Sequence, residues 1–258
     1  VKMVIFMGLI GNILCCIGIS AIDKPENFRG TKKAEPLKVK DMIEVLRHNK
    51  PLQSYIVAAA SDKVAQVTAS QSIIGTLLYG IMIGNMGMST ILGMVSMLPA
   101  IIFAIFGAKY TGKHGSKKAI VDWTVVCMVL AAILTVFFLV INPATIAKPG
   151  ITMGIYVILN LALNGCKMCV STANASFMAD TIDYELDRSG RYIPAVVSGV
   201  YSLIDKIISS FGAVIATTAI AAIGYTHTVP QPGEPSTAGI VAIALSVTYG
   251  LPIVGWIV

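Results

Sequence analysis

Asp205 and Lys206 lie deep inside a long apolar stretch of the sequence, where ionised side chains are unexpected. Lys167 and the adjacent pair Asp62 and Lys63 occupy similar positions in two other apolar stretches. A charge at the centre of a bilayer costs roughly 2.5–3.5 kcal/mol on insertion scales, so charges in such places usually mark a solute or ion pathway. The alternative is local pairing that only holds helices together.

Polar side chains recur at helical spacing within these stretches. In residues 151–177 they follow steps of four, three, four and three residues, which places them on one helical face. Residues 193–224 do much the same, and polar residues crowd the centre of residues 51–83. The three sets are Asn160, Asn164, Lys167, Ser171 and Asn174; Ser198, Ser202, Asp205, Lys206 and Ser209; and Ser61, Asp62, Lys63, Gln66, Thr68, Ser70, Gln71, Ser72 and Thr76. They favour a water-filled cavity whose amides and hydroxyls suit a polyol, although interhelical hydrogen bonding is the alternative.

The composition sets the class of protein. The chain is 55% hydrophobic and 12% charged, whereas a soluble domain carries about 25% charged residues. The apolar runs far exceed the ~10 alternating residues of a barrel strand, so α-helices must cross the bilayer. The basic residues lie mainly in loops, so the net charge of +6 does not predict nucleic-acid binding. We therefore expect an all-α membrane protein.

An enzymatic role is not predicted. The apolar stretches contain no H-E-x-x-H or G-x-S-x-G motif, and His48, His114 and His227 all lie in predicted loops. We expect neither catalytic residues nor a metal or cofactor site.

Seven apolar segments are long enough to cross about 30 Å at 1.5 Å per residue. They are residues 1–21, 51–83, 86–108, 119–142, 151–177, 193–224 and 239–258. Their orientation follows from Lys and Arg, which favour cytoplasmic loops. The connections at 22–50, 109–118 and 178–192 hold fourteen of these residues, whereas the alternate connections hold only Lys148. The pattern predicts a multi-pass protein of the plasma or inner membrane.

The connection at residues 22–50 divides into a polar linker and an amphipathic segment at 37–48, predicted to lie as a helix on the membrane surface. The chain begins at Val1 and ends at Val258, both within apolar runs, which predicts a fragment of a longer protein. A signal peptide at residues 1–21 is the alternative interpretation of the first run.

One motif resembles a known family. Ala179, Asp180, Asp183 and Tyr184 form an A-D-x-x-D-Y run, which Gly190-Arg191 follows. This run resembles the signature of the glycoside-pentoside-hexuronide:cation symporters, the melibiose-permease-like branch of the major facilitator superfamily. Asn49-Lys50-Pro51-Leu52 and the basic loop at residues 112–118 also resemble features of that family.

The resemblance implies a fold and a function. Residues 51–258 would form the C-terminal six-helix bundle, preceded by the last helix of the N-terminal bundle at 1–21 and the middle loop at 22–50. The expected partners are a sugar or glycoside, the lipid bilayer and the missing N-terminal six-helix bundle. The coupling ion would be H⁺ or Na⁺, with transport by alternating access around a site near the midplane. A carrier for another polar solute or a lipid, or a non-transporting membrane sensor, is the alternative.

The resemblance also implies site residues. Lys206 falls where the family has a lysine at the sugar and cation site, and Ser202 matches a hydroxyl residue one turn before it. Ser171 stands where melibiose permease has a tryptophan beside the sugar, which removes a stacking surface. The predicted cavity residues are Lys206, Ser202, Asp205, Lys167, Asn164, Ser171, Asn174, Asp62, Lys63 and Gln66.

The connection at residues 178–192 is predicted to act as a cytoplasmic gate. The carboxylates of Asp180 and Asp183 and the guanidinium of Arg191 suit charged pairing with the other bundle, and Tyr184 lies beside them. The alternative is that these charges only set membrane orientation.

Overall fold

The computed structural model describes residues 2–22, 39–226 and 228–257. The described part is helical and contains no strand. The α-helices are α1 (Lys2–Ile22), α2 (Val39–His48), α3 (Lys50–Ala69), α4 (Ser72–Gly75), α5 (Gly87–His114), α6 (Ser116–Val140), α7 (Ile151–Ser189), α8 (Pro194–Ala221), α9 (Ala238–Leu245) and α10 (Leu251–Ile257). Two π-helical segments, Thr76–Ile83 and Ser246–Gly250, and a 3₁₀ helix, Pro143–Ala147, complete the elements.

Five helical stretches have the length and apolar composition to cross a membrane. They are Gly87–His114, Ser116–Val140, Ile151–Ser189, Pro194–Ala221 and Ala238–Ile257. Shorter apolar helices occur at Gly8–Ser20 and Ser72–Ile83. The all-α membrane class predicted from composition is therefore confirmed.

The chain divides into two units, residues 1–38 and 39–258. The described part of the first unit is the apolar helix α1. The second unit holds all the remaining helices, so α2 belongs to the same compact body as the bundle.

The apolar segment predicted at residues 51–83 does not form one continuous helix. Helix α3 ends at Ala69, and the chain resumes as α4 and a π-helical segment. The side chains of Ser70 and Gln71 donate hydrogen bonds to the Val67 carbonyl, at 2.9 and 3.1 Å, and Gln71 adopts an extended conformation. Side-chain hydrogen bonds of this kind compete with the helical backbone bonds, which a count of apolar residues does not register.

The prediction of a loop at residues 178–192 is wrong for most of its length, because residues 178–189 belong to helix α7. Helix α7 continues through the A-D-x-x-D-Y motif to Ser189 and ends at Gly190, whose φ of 67° closes the helix in the left-handed conformation. Its 39 residues correspond to roughly 58 Å, well beyond the hydrocarbon core. The helix therefore stops at a glycine cap and not at the end of the apolar run.

The amphipathic helix predicted at residues 37–48 is observed as α2, although residues 37 and 38 lie outside the described part. Its apolar stripe packs against the bundle, and its location on a membrane surface stays a prediction. Val45 is 2% exposed and lies in a cluster with Leu52 of α3 and Val197 of α8. Burial against neighbouring helices accounts for part of the apolar face, whereas Ile43 on the same helix is 62% exposed.

Glycines allow close contact between helices that position the site. A Cβ atom on Gly107 of α5 would lie 2.8 Å from the Cys169 Cα of α7, and one on Gly212 of α8 would lie 2.5 Å from a methyl carbon of Val67. Both distances are shorter than real contacts permit. The α5–α7 and α3–α8 pairs therefore depend on the absence of these side chains.

The Gly107→Ala variant tests this packing. The added methyl group meets the backbone of α7, so we expect the free energy of unfolding to fall by about 1–3 kcal/mol. The measurement is thermal unfolding in detergent. Gly112→Ala on the same helix is the matched control, because its Cβ has no neighbour within 4 Å. Equal stability of the two variants would contradict the packing role.

Candidate functional site

A polar cavity of about 390 Å³ lies among α3, α7, α8 and α10. Six of the ten residues predicted from sequence line it, and they come from α3 and α7. These are Asp62, Lys63, Gln66, Lys167, Ser171 and Asn174, together with Tyr55, Ala59, Met168, Val170, Ala175, Tyr201 and Trp256.

Helical spacing explains why these residues share one wall. Asp62 and Gln66 are four residues apart on α3, and Lys167, Ser171 and Asn174 follow steps of four and three on α7. Residues at these intervals lie above one another on one helical face. The two polar faces therefore meet across the same space.

Trp256 of α10 organises the charges at one end of the cavity. Its indole Nε1 donates a 2.7 Å hydrogen bond to the Asp62 carboxylate, which also accepts a 2.7 Å bond from the Gln66 amide. The Lys167 ammonium lies 5.6 Å from the centroid of the Trp256 ring, within the range of a cation–π interaction. One tryptophan thus contacts both an anion and a cation of the cavity.

A salt bridge joins α3 to α8. The Lys63 ammonium lies 3.2 Å from the Asp205 carboxylate, and the Asp205 side chain is 13% exposed. A carboxylate this buried requires a partner, and the Lys63 ammonium supplies it across the α3–α8 contact.

Aromatic rings form another side of the cavity. Tyr55 of α3 stacks on Tyr201 of α8 with centroids 5.1 Å apart, and it contacts Phe177 of α7 at 5.4 Å. The Tyr55 hydroxyl donates a 3.4 Å hydrogen bond to the Asn174 carbonyl. This side of the cavity presents flat apolar surface beside polar groups.

Four predicted residues lie elsewhere. Ser202 and Lys206 are exposed on α8, because the face of that helix that meets α3 carries Tyr201 and Asp205 instead. Asp205 does not line the polar cavity itself, but its carboxylate pairs with Lys63, which does. Asn164 lines a neighbouring compartment, where its amide donates a 2.8 Å hydrogen bond to the Asn160 carbonyl oxygen.

The predicted gate residues are not brought together in this structure. The Asp180 carboxylate accepts a hydrogen bond from the Ser116 hydroxyl at the start of α6. Arg191 lies 3.5 Å from the Asp41 carboxylate of α2, whereas Asp183 and Tyr184 are exposed on α7. The motif therefore connects α7 and the loop after it to two different elements.

The loop between α8 and α9 packs over the first π-helical segment. The Gly233 amide donates a 3.1 Å hydrogen bond to the Gly80 carbonyl. Outside the spans, the Tyr225 hydroxyl donates to the Glu234 carboxylate, and this hydrogen bond raises the pKa of the Tyr225 phenol.

The chain matches one family model, described as MFS/sugar transport protein, over residues 1–258. The chain belongs to this family. The match confirms the resemblance that the A-D-x-x-D-Y motif indicated, and it establishes a multi-pass membrane transporter. No curated protein and no solved structure matches the chain.

Sequence reasoning did not find a buried polar cluster at one end of this transporter. The Asn49 side chain accepts a 2.9 Å hydrogen bond from the Leu52 amide at the start of α3 and donates a 3.0 Å bond to the Glu185 carboxylate of α7. Arg188 binds the same carboxylate through two nitrogens, at 2.6 and 3.1 Å. Asn49 is 0% and Glu185 is 1% exposed, whereas Arg188 reaches the surface, so the cluster joins α3 to α7 through a buried amide–carboxylate bond.

The signals for the missed residues were weak. Asn49 stood in the N-x-P-L motif, but nothing in the sequence pointed to Glu185, which lies 136 residues away. Trp256 lies in a segment without charged residues, so the spacing of polar residues did not predict a role for it in the cavity. Tyr201 precedes Asp205 by four residues, a spacing that places both on one helical face.

The Glu185→Ala variant of the transporter tests the buried cluster. It removes the closer acceptor of the Asn49 amide, which keeps only a 3.3 Å bond to the Thr181 carbonyl, and it removes the carboxylate that Arg188 binds. We therefore expect a loss of about 1–3 kcal/mol in the free energy of unfolding. Thermal unfolding in detergent measures it. Asp187→Ala is the matched control, because Asp187 is an exposed carboxylate on the same helix. A loss no larger than that of the control would contradict the role of the cluster.

A charge exchange tests the Lys63–Asp205 salt bridge. Lys63→Asp and Asp205→Lys each place two like charges together, so we expect either change alone to lower the amount of folded transporter several-fold. The double variant restores the attraction and should recover most of it. Size-exclusion chromatography after detergent extraction gives the measurement. Failure of the double variant to exceed both single variants would show that the pair is not coupled.

Proposed function

We propose that the protein carries a sugar or glycoside across the cell membrane, coupled to a flow of H⁺ or Na⁺. The observation that supports this most is the polar cavity among the spanning helices, where amides, a hydroxyl, two lysines and a carboxylate meet aromatic rings. Its volume of about 390 Å³ falls in the range of roughly 300–1,000 Å³ typical of small-molecule sites.

The chemistry of the wall suits a polyol. The amides of Gln66 and Asn174 and the hydroxyl of Ser171 can each donate and accept hydrogen bonds, as sugar hydroxyls do. The rings of Tyr55 and Tyr201 offer apolar surface to the C–H face of a pyranose. Ser171 of α7 stands where the resemblance implies a tryptophan. Trp256 of α10 supplies an aromatic ring to the same cavity.

The charges provide a means of coupling solute to ion. The Asp62 carboxylate accepts hydrogen bonds from Gln66 and Trp256, and the Lys167 ammonium lies over the ring of the same tryptophan. Lys167 would bind sugar hydroxyls and keep its charge balanced by Asp62. The exposed positions of Ser202 and Lys206 suit contact with the second bundle, where the resemblance places them at the sugar and cation site.

The end of the protein that carries the A-D-x-x-D-Y motif is the proposed cytoplasmic gate. Asp183 and Tyr184 are exposed on α7 and are accessible to the second bundle. Asp180 and Arg191 have partners in this structure, Ser116 and Asp41, that a gating movement would exchange for others.

A carrier for an amphipathic solute is the second candidate. A mostly apolar cavity of about 430 Å³ adjoins the polar one, with Asp62, Asn174 and Trp256 lining both. Its other walls include Ile120, Val125 and Met128. A lipid-like solute would place its tail there and its head group in the polar cavity.

Uptake measurements test the proposal. The full-length protein is reconstituted in liposomes, and accumulation of labelled hexoses, disaccharides and glycosides is measured under separate Na⁺ and proton gradients. We expect one gradient to drive uphill uptake, and Lys167→Met to reduce it at least tenfold because the cavity loses the cation beside Trp256, whereas Lys63 is paired with Asp205. Lys109→Met is the matched control, since Lys109 is exposed at the end of α5.

Three results would decide against the proposal. Uptake of a labelled lipid in place of all sugars would favour the amphipathic solute. Sugar binding without flux under either gradient would indicate a sensor. Equal uptake by the Lys167→Met variant and the unchanged protein would remove the proposed role of the cavity cation.

A further inference from the structure

Helices α5 and α6 form a hairpin that carries several lysines at its closed end. Helix α5 ends at His114 and α6 begins at Ser116, so Gly115, with a φ of 86°, is the whole connection between them. This short connection places the last turns of α5 beside the first turn of α6, where two membrane spans meet the boundary of the bilayer. The lysine cluster of the hairpin consists of Lys109, Lys113, Lys117 and Lys118.

The lysine cluster presents an excess of positive charge. Its four side chains are exposed, and none of them forms a salt bridge with a carboxylate of the described residues. The two carboxylates that contact the hairpin already have hydrogen-bond donors. Asp122 accepts a 2.6 Å bond from the Tyr110 hydroxyl, and Asp180 accepts one from the Ser116 hydroxyl. The charge of the cluster therefore suits an anionic partner.

An exposed apolar stripe leads from the lysine cluster toward the middle of the spans. On α5, Ile102, Phe106, Lys109 and Lys113 follow steps of four, three and four residues, which places them on one helical face. Ile102 is 68% and Phe106 is 55% exposed. Phe106 reaches α6, where its ring meets the Trp123 ring edge-on with centroids 5.8 Å apart. One continuous surface of the hairpin thus changes from apolar to cationic along α5.

Aromatic rings lie between the apolar stripe and the lysines. Tyr110 meets Trp123 edge-on at 5.6 Å and stacks on His114 at 4.2 Å. Tryptophan and tyrosine are enriched where a membrane protein crosses the boundary between hydrocarbon and water. From the middle of the spans outward, the surface is aliphatic, then aromatic, then cationic. A phospholipid with an anionic head group has the matching order of acyl chain, ester region and phosphate.

We propose that the α5–α6 hairpin binds an anionic phospholipid from the leaflet at this end of the bundle, which the charge pattern predicts to be cytoplasmic. Its phosphate lies among the four lysines, and an acyl chain follows Ile102 and Phe106. A zwitterionic lipid could cover the same stripe, but it would leave the lysines without a net counter-charge. The inference is independent of the proposed function, because none of these residues lines the polar cavity.

Lipid binding to the full-length protein in detergent tests the proposal. Native mass spectrometry gives dissociation constants for dioleoyl phosphatidylglycerol and, separately, for dioleoyl phosphatidylcholine, which has the same chains and no net charge. We expect the unchanged protein to bind phosphatidylglycerol more tightly. Lys113→Gln and Lys118→Gln should each raise its dissociation constant about 3- to 10-fold and leave that of phosphatidylcholine unchanged. Lys113→Arg keeps the charge and should keep the affinity.

A matched control and a stability measurement separate lipid binding from a structural role. Lys148→Gln removes an exposed lysine from a different connection and should not change the affinity for phosphatidylglycerol. Without added lipid, Lys113→Gln and Lys118→Gln should unfold at the same temperature as the unchanged protein, because both lysines are exposed and form no salt bridge with a described residue. With phosphatidylglycerol, the unchanged protein should gain more thermal stability than either variant.

Each outcome decides for or against the lipid site. A loss of affinity restricted to phosphatidylglycerol and to the two glutamine variants supports it. Equal binding of the two lipids by the unchanged protein, or unchanged affinity in both variants, overturns it and leaves the lysines the role of orienting the hairpin in the membrane. Inorganic phosphate that stabilises the protein as much as phosphatidylglycerol would indicate a site for free anions and would also overturn it. None of these results bears on sugar uptake.

Discussion

Charged side chains inside membrane helices must be paired or hydrated, and this constraint shapes the whole bundle. Asp62 is held by hydrogen bonds from Trp256 and Gln66, and Lys167 lies over the ring of the same tryptophan. Lys63 pairs with Asp205 across α3 and α8. An isolated charge in hydrocarbon would cost several kcal/mol, so these contacts determine which faces of α3, α7, α8 and α10 turn inward.

Irregular helix geometry places polar groups where regular helices could not. The interruption after Ala69 and the π-helical segments at Thr76–Ile83 and Ser246–Gly250 lie around one compartment. A regular α-helix repeats its faces every 3.6 residues, whereas a π-turn shifts that register. Tyr79, Thr248 and Tyr249 lie in these π-helical segments, and all three line the same compartment.

Buried polar bonds also join distant parts of the chain outside the cavity. Asn49 caps α3 and binds Glu185 of α7, and Arg188 completes the charge balance. Helix α2 packs on α3 and α8 through Val45, and it belongs to the same compact unit as the bundle.

Composition and periodicity determined the class of protein, most of the membrane spans and the polar faces of α3 and α7. These properties depend on residues close together in sequence, because burial in lipid and helical spacing are local constraints. The A-D-x-x-D-Y motif was enough to indicate the family, which the family match confirms. The end of α7 at Gly190 and the interruption at Ser70 and Gln71 were not foreseen, since local hydrogen bonds and not hydrophobicity determine them.

Only the tertiary structure decided which charges meet. The sequence placed Asp205 and Lys206 together, but adjacent helical residues point about 100° apart, and Asp205 alone turns toward Lys63. The contacts of Trp256 with Asp62 and of Glu185 with Asn49 join residues more than 130 positions apart. No local pattern carries that information, because it arises from the packing of whole helices against one another.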